Sequence, residues 1–135
     1  GADEDIRGGS ETVLVVEDNG DVRRMVCNQL AGFGYAVRTA EHGPAALAVL
    51  ETGVPVDLLF TDVVMPEGMT GLVLAQEALR LRPGLKVLIT SGFPGDSFHL
   101  PLAGAGQWAL LSKPYRKRDL ARAVRDALDG KGASQ

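Results

Sequence analysis

The sequence predicts one α/β domain, a parallel sheet with helices on both faces. Three observations point there. Apolar runs alternate with stripes at helical spacing, which is the pattern of strand–helix units. The runs at 12–16, 56–60 and 87–89 are almost continuously apolar, as strands buried on both sides are. Four runs end in polar residues: Glu17-Asp18, Asp62, Ser91 and Lys113. In such folds ligands bind beyond the carboxyl ends of the strands, where these residues fall.

The elements follow in order. Residues 1–10, GADEDIRGGS, are acidic and glycine-rich and read as a linker or cloning remnant. The domain is expected over 11–130, with 131–135 a polar tail. Thr12 to Val16 form the first strand. Val22, Met25, Val26 and Leu30 give the first helix its apolar stripe, and Gly32-Phe33-Gly34 ends it. Tyr35 to Thr39 read as a short second strand. Pro44 suits the first turn of the next helix, where its missing N–H has no intrahelical partner to lose, and Ala46, Leu47 and Leu50 supply the buried side. The third strand ends at Asp62. A helix over Leu72–Arg82 stops at Pro83-Gly84. Between the fourth and fifth strands, Pro94, Gly95, Pro101, Gly104 and Gly106 allow only a short or irregular fourth helix, because an interior proline removes a donor and clashes with the preceding turn. In the last helix Leu120, Val124 and Leu128, with Ala123 and Ala127, share one face, and Gly130 stands at the C-cap.

Composition narrows the function. With 135 residues, 45% of them hydrophobic, the chain can bury a real core. A net charge of −3 speaks against nucleic acid as a partner, which calls for clustered Lys and Arg. Cys27 is the single cysteine, so no internal disulfide forms, and its place on the first helix suggests packing. No apolar run reaches the roughly 20 residues of a membrane helix, and no signal peptide opens the chain. A cytoplasmic location and a monomer are expected. His42 and His99 are isolated and read as structural or exposed, and Arg116-Lys117-Arg118 as surface.

The strand ends carry the chemistry. Carboxylates about 4 Å apart repel by roughly 4 kcal/mol at an effective dielectric near 20. Glu17, Asp18 and Asp62 therefore call for a cation, and Mg2+ suits hard oxygen ligands. Asp62 is the candidate nucleophile, since a carboxylate can attack phosphorus to form an acyl phosphate. Lys113 would neutralise an incoming phosphoryl group and Ser91 would donate to one of its oxygens. Each residue alone has a plain structural explanation as a cap, turn or surface residue. The ordered set, each member at the end of its own strand, does not.

At these residues the chain resembles the receiver domains of bacterial two-component response regulators. VLVVEDN, DLLFTDVVMPEGMTG, VLITSGF and LLSKPY carry the likeness, which spans about 11–129. The resemblance implies a flavodoxin-like (βα)5 sheet in the order 2-1-3-4-5, an order the handed-down pattern of the fold supplies. It implies that Asp62 accepts a phosphoryl group from a histidine kinase or histidine phosphotransfer domain. Asp18 and Asp62 would bind Mg2+ with the Val64 backbone carbonyl, and Glu17 through water. Ser91 and Lys113 would contact the phosphoryl oxygens, with Lys113-Pro114 cis. Ser91 and residue 110 would form the switch. Gly20, Arg23, Phe93 and Tyr115 would surround the docked partner, although Arg23 and Arg24 also suit an ordinary solvated helix face. Val64 and Phe93, two apolar residues flanking the acyl phosphate, would slow its hydrolysis.

Four departures stand out. Glu17-Asp18 replaces the common Asp-Asp, MPEGMTG looks one residue longer than usual, Leu110 stands where an aromatic residue is usual, and the fourth helix is interrupted. Leu110 cannot make the aromatic swing of the family switch. The pattern looks like receivers at the C-terminus of hybrid sensor histidine kinases; the parent could then be a kinase, the isolated domain only promoting its own phosphorylation and dephosphorylation. A stand-alone single-domain regulator fits nearly as well, and a docking module that has lost phosphorylation stays open. A DNA-binding regulator fits less well. A small aspartyl phosphatase would place a second Asp two residues after Asp62, where Val64 stands.

Overall fold

The computed structural model describes residues 8–63, 69–92 and 108–130. Five parallel strands, β1 (Thr12–Val16), β2 (Ala36–Ala40), β3 (Leu58–Asp62), β4 (Lys86–Ser91) and β5 (Trp108–Ser112), form one sheet in the order β2-β1-β3-β4-β5. Four helices are described: α1 (Gly20–Gly32), α2 (Gly43–Glu51), α3 (Gly71–Leu81) and α4 (Lys117–Leu128). The residues expected to form the short helix between β4 and β5 lie outside the described ones, as do the MPEG part of the following loop after Asp62, residues 1–7 and the tail.

Successive residues of a strand point to opposite faces, and the two cores follow that alternation. Val13 and Val15 of β1, Leu58 and Phe60 of β3 and Leu88 of β4 pack with Val26 and Leu30 of α1 and Leu120 and Val124 of α4. Leu14, Val16, Leu59, Val87 and Ile89 face the other way, toward Ala46 and Leu50 of α2 and Leu74, Ala75 and Ala78 of α3. Every strand through the middle of the sheet is thereby covered on both sides, which is why its sequence reads as an unbroken apolar run.

The helix boundaries have local causes. Asn19 caps α1, its Oδ1 accepting from Asp21 N at 2.9 Å and Val22 N at 3.0 Å. His42 Nδ1 caps α2 by accepting from Ala45 N at 3.1 Å, with Pro44 in the first turn. Thr70 Oγ1 caps α3 by accepting from Val73 N at 3.2 Å. Asp119 Oδ2 accepts from Arg116 N at 3.0 Å and sets an acid in the first turn of α4, offsetting the basic residues there. Gly130 follows α4 with φ +82°, the left-handed geometry a C-terminal glycine permits.

Four expectations shift. β2 runs one residue later than Tyr35–Thr39, because Tyr35 is buried before the ladder begins at Thr12–Ala36. Met25 does not join the buried stripe of α1 and is 48% exposed. In α4 Ala121 is buried while Leu128 and Ala123 are only partly so. The sequence GGS before β1 is also not loose at its end. Gly9 N donates to Phe33 O at 3.3 Å, and Arg125 donates to Gly8 O at 3.1 Å and to Glu11 Oε2 at 2.6 Å. Arg125 also bridges to Asp129 at 2.9 Å.

Candidate functional site

The register of the ladder gathers the polar strand ends. Val16 pairs with Thr61, Asp62 with Thr90, and Ser91 with Ser112. Glu17, Asp62, Ser91 and Lys113 therefore emerge side by side at the carboxyl edge. Backbone bonds continue the ladder past the last paired residues: Glu17 N donates to Ala40 O at 3.1 Å, Val63 N to Thr90 O at 2.9 Å and Lys113 N to Ser91 O at 2.7 Å. Each functional side chain thus leaves a backbone that is fixed on its neighbour.

Lys113 Nζ donates to Asp62 Oδ2 at 2.7 Å; the lysine side chain is 33% exposed and the aspartate 14%. Glu17 is buried and its Oε2 accepts from Asn19 N at 3.0 Å. Burial pushes the Glu17 carboxyl up; the Asn19 N–H pulls the other way, the Asp18 side chain and the Asp62 charge add to the rise, and Lys113 opposes it. Asp18 is exposed and Ser91 is buried. The Tyr115 hydroxyl is pushed up to about 12, first by burial and then by the charges of Glu17 and Asp62, so it stays neutral beside them. Lys113-Pro114 is cis, as the resemblance implied.

Among the described residues no three His, Cys, Asp or Glu side chains form a ready-made metal cluster. The Val64 carbonyl, which the resemblance made the third protein ligand, lies outside the described residues, and so does Phe93. The donor chemistry nonetheless fits a hard cation. Glu17, Asp18 and Asp62 bring carboxylate oxygens to one edge of the sheet beside the Lys113 ammonium, and oxygen donors of this kind suit a hard cation. An ammonium, a hydroxyl and oxygen ligands for a cation together can hold a phosphoryl group beside a carboxylate nucleophile.

The remaining expected residues are less uniform. Gly20 begins α1 beside the site. Arg23 is not a freely solvated arginine, since its Nη1 donates to Glu17 O at 2.8 Å and braces the turn that holds the acid pair. Leu110 is half-buried and packs on the α2–α3 side of the sheet. Met25, exposed against expectation, joins Val22, Gly92, Pro114, Tyr115 and Lys113, the partner of Asp62, around a cleft of about 500 Å³. The helical period correctly put Val22 and Met25 near one side of α1, but only the folded position of Tyr115 turns that side into a cleft wall.

With this sheet and this site described, the class is defined: the chain belongs to the response regulator receiver domain family, whose model matches residues 13–125. It is 38% identical over 122 residues to the sensor kinase CckA of Brucella abortus, covering 90% of this chain but 13% of that kinase. It is 34% identical over 116 residues to the response regulator receiver protein CpdR of the same organism, covering 86% of this chain and 95% of that protein. Among solved structures, the receiver domain from the hybrid histidine kinase CckA superposes with a TM-score of 0.72 at 30% identity, over 87% of this chain and 98% of that one. No described helix is long and apolar enough to cross a membrane.

Proposed function

We propose that this receiver domain is a phosphoacceptor in a two-component phosphorelay, taking a phosphoryl group from a phosphohistidine onto Asp62. The supporting observation is the 2.7 Å contact between Lys113 Nζ and Asp62 Oδ2 at the registered ends of β3 and β5. A carboxylate oxygen of Asp62 attacks phosphorus as the P–N bond breaks; the imidazole leaves with the bonding pair and takes up a proton. The product is an acyl phosphate on Asp62. Lys113 orients the carboxylate beforehand and meets the negative charge that the phosphoryl oxygens bring. Ser91, at the end of β4, donates to one of those oxygens. Asp18, Asp62 and the Val64 carbonyl would hold Mg2+, with Glu17 acting through water. The bound ion would neutralise phosphoryl charge.

The partner is a histidine kinase or a histidine phosphotransfer domain. It docks over α1 and the loop after β5, with Gly20, Arg23, Phe93 and Tyr115 around its histidine and its apolar side chains in the Val22–Met25–Tyr115 cleft. Identity to the receiver segment of a sensor kinase supports a hybrid-kinase context. Similarity to CpdR over nearly all of that protein supports the second reading, a stand-alone regulator. Intact mass after incubation with Mg2+ and a small phosphodonor tests the acceptor. The expected result is one added phosphoryl group in the wild type and none in Asp62→Asn. Equal labelling of both proteins would reject Asp62 as acceptor, and no labelling in either, with a small donor or a phosphohistidine partner, would favour a docking-only domain.

A further inference from the structure

Two glycines outside the acidic cluster govern how the chain leaves Asp62. Gly71 is buried at the start of α3, and a Cβ added there would fall onto the Asp62 carbonyl oxygen and lie 3.1 Å from Val63 Cα. Its N–H donates to Val63 O at 2.8 Å, while Val63 N donates to Thr90 O at 2.9 Å. The peptide after Asp62 is thus clamped between β4 and the first residue of α3. Gly43 is buried at the start of α2, and a Cβ there would collide with Met69 Sδ and meet its Cγ at 3.0 Å and its Cβ at 3.3 Å. Met69 fills the space that the missing side chain leaves, packed against the core between α2 and α3. Only Thr70, the cap of α3, separates Met69 from Gly71.

We infer that the Met69 side chain seated on Gly43 is a positioning device for Asp62. The seat fixes the start of α3 relative to α2. Gly71 then carries that position to the Asp62 carbonyl through a contact too close for any side chain, and so to the direction of the carboxylate beside Lys113. Gly43, Met69 and Gly71 are positioning residues, acting on the reaction through the backbone of Asp62. The inference rests on Asp62 being the phosphoacceptor. A misplacement near 1 Å in a reacting group can cost about a hundredfold in rate, so a seat that shifts α3 by a fraction of that slows the chemistry by about tenfold.

The test is the rate of phosphoryl labelling of the full chain by acetyl phosphate with saturating Mg2+, followed by intact mass. It compares wild type, Gly43→Ala, Met69→Ala and the double variant, each well below its Tm. The expected outcome is a rate constant about tenfold lower for Gly43→Ala with an unchanged final labelled fraction. A protein that was merely destabilised would show a lower Tm and, being almost wholly folded at the assay temperature, would label at the wild-type rate. Met69→Ala adds no atom to the seat, so it carries the test if Gly43→Ala does not fold, and it too labels more slowly. The double variant is no slower than the slower single one, because both changes disturb one contact. Wild-type rates in both single variants, or slowings that multiply in the double variant, overturn the inference while Asp62 stands as acceptor. Absence of labelling in the wild type overturns the acceptor reading, and this inference with it.

Discussion

Lys113 and Asp62 meet at 2.7 Å although 51 residues separate them and β4 lies between their strands. Asp62 is the last paired residue of β3 and lies level with Leu111 across β4. Lys113, two positions further along and just past the end of β5, reaches back over the end of β4 to meet it. The contact also gives the carboxylates at this edge a fixed counter-charge from the protein.

Lys113→Met removes that counter-charge and leaves Asp62 facing Glu17 and Asp18. A fully buried pair broken this way costs about 3–5 kcal/mol and an exposed one at most about 1 kcal/mol. With Lys113 one-third exposed, a loss of about 1–2 kcal/mol is expected in the absence of divalent cations. Urea unfolding with and without millimolar Mg2+ checks it, and the deficit should narrow when the cation is present.

Glu11 gives a pH-dependent prediction. The Arg125 guanidinium holds its carboxyl below the ordinary value of 4.5, against a smaller opposing effect of burial. A depressed folded-state pKa contributes stability above 4.5, and that contribution is lost as pH falls through the folded value. Glu11→Gln should therefore cost about 0.5–1 kcal/mol at pH 7. Thermal unfolding of the two proteins should converge as the pH falls from 5 toward about 3.

Arg82 supplies a structural control away from the site. Its Nη2 donates to Leu50 O at 2.8 Å and to Val54 O at 2.7 Å, closing the carboxyl end of α2. Arg82→Met should lower stability by about 1–3 kcal/mol, the usual cost of unpaired, partly buried carbonyls. Phosphoryl labelling by a small donor should keep its wild-type rate.

Met25→Asp separates docking from chemistry. Met25 is exposed and lines the cleft that Lys113 and Tyr115 share. Labelling by acetyl phosphate should stay within about twofold of wild type. Transfer from a phosphohistidine partner should slow by about tenfold or more, as charged substitution at an apolar contact of an interface does. Parallel slowing of both reactions would remove the cleft from the docking surface.

The strands and the polar residues at their ends were legible because burial on both faces leaves one plain mark, an unbroken apolar run such as Val13–Val16 or Leu58–Phe60, and a parallel sheet brings such ends together. Met25 misled because helical period reports a face of α1 without saying what that face meets. Gly43 and Gly71 gave no signal, since a close approach between α2, Met69 and the Asp62 carbonyl is a property of three distant segments. Ser10 and the glycines before it looked like linker by composition, yet a side chain at Gly9 would displace the Glu11 carboxylate and the Arg125 guanidinium from where they meet and would crowd the Tyr35 ring. Arg23 looked like solvated surface, and its hydrogen bond to Glu17 O depends on the turn geometry rather than on residue type.

The Arg125 contacts set a path for mechanical load. Its guanidinium grips Gly8 O and Glu11 at the entry to β1 and Asp129 at the end of α4. A pull on the backbone at Gly8 is therefore shared between the first strand and the last helix, two elements at opposite ends of the domain's sequence.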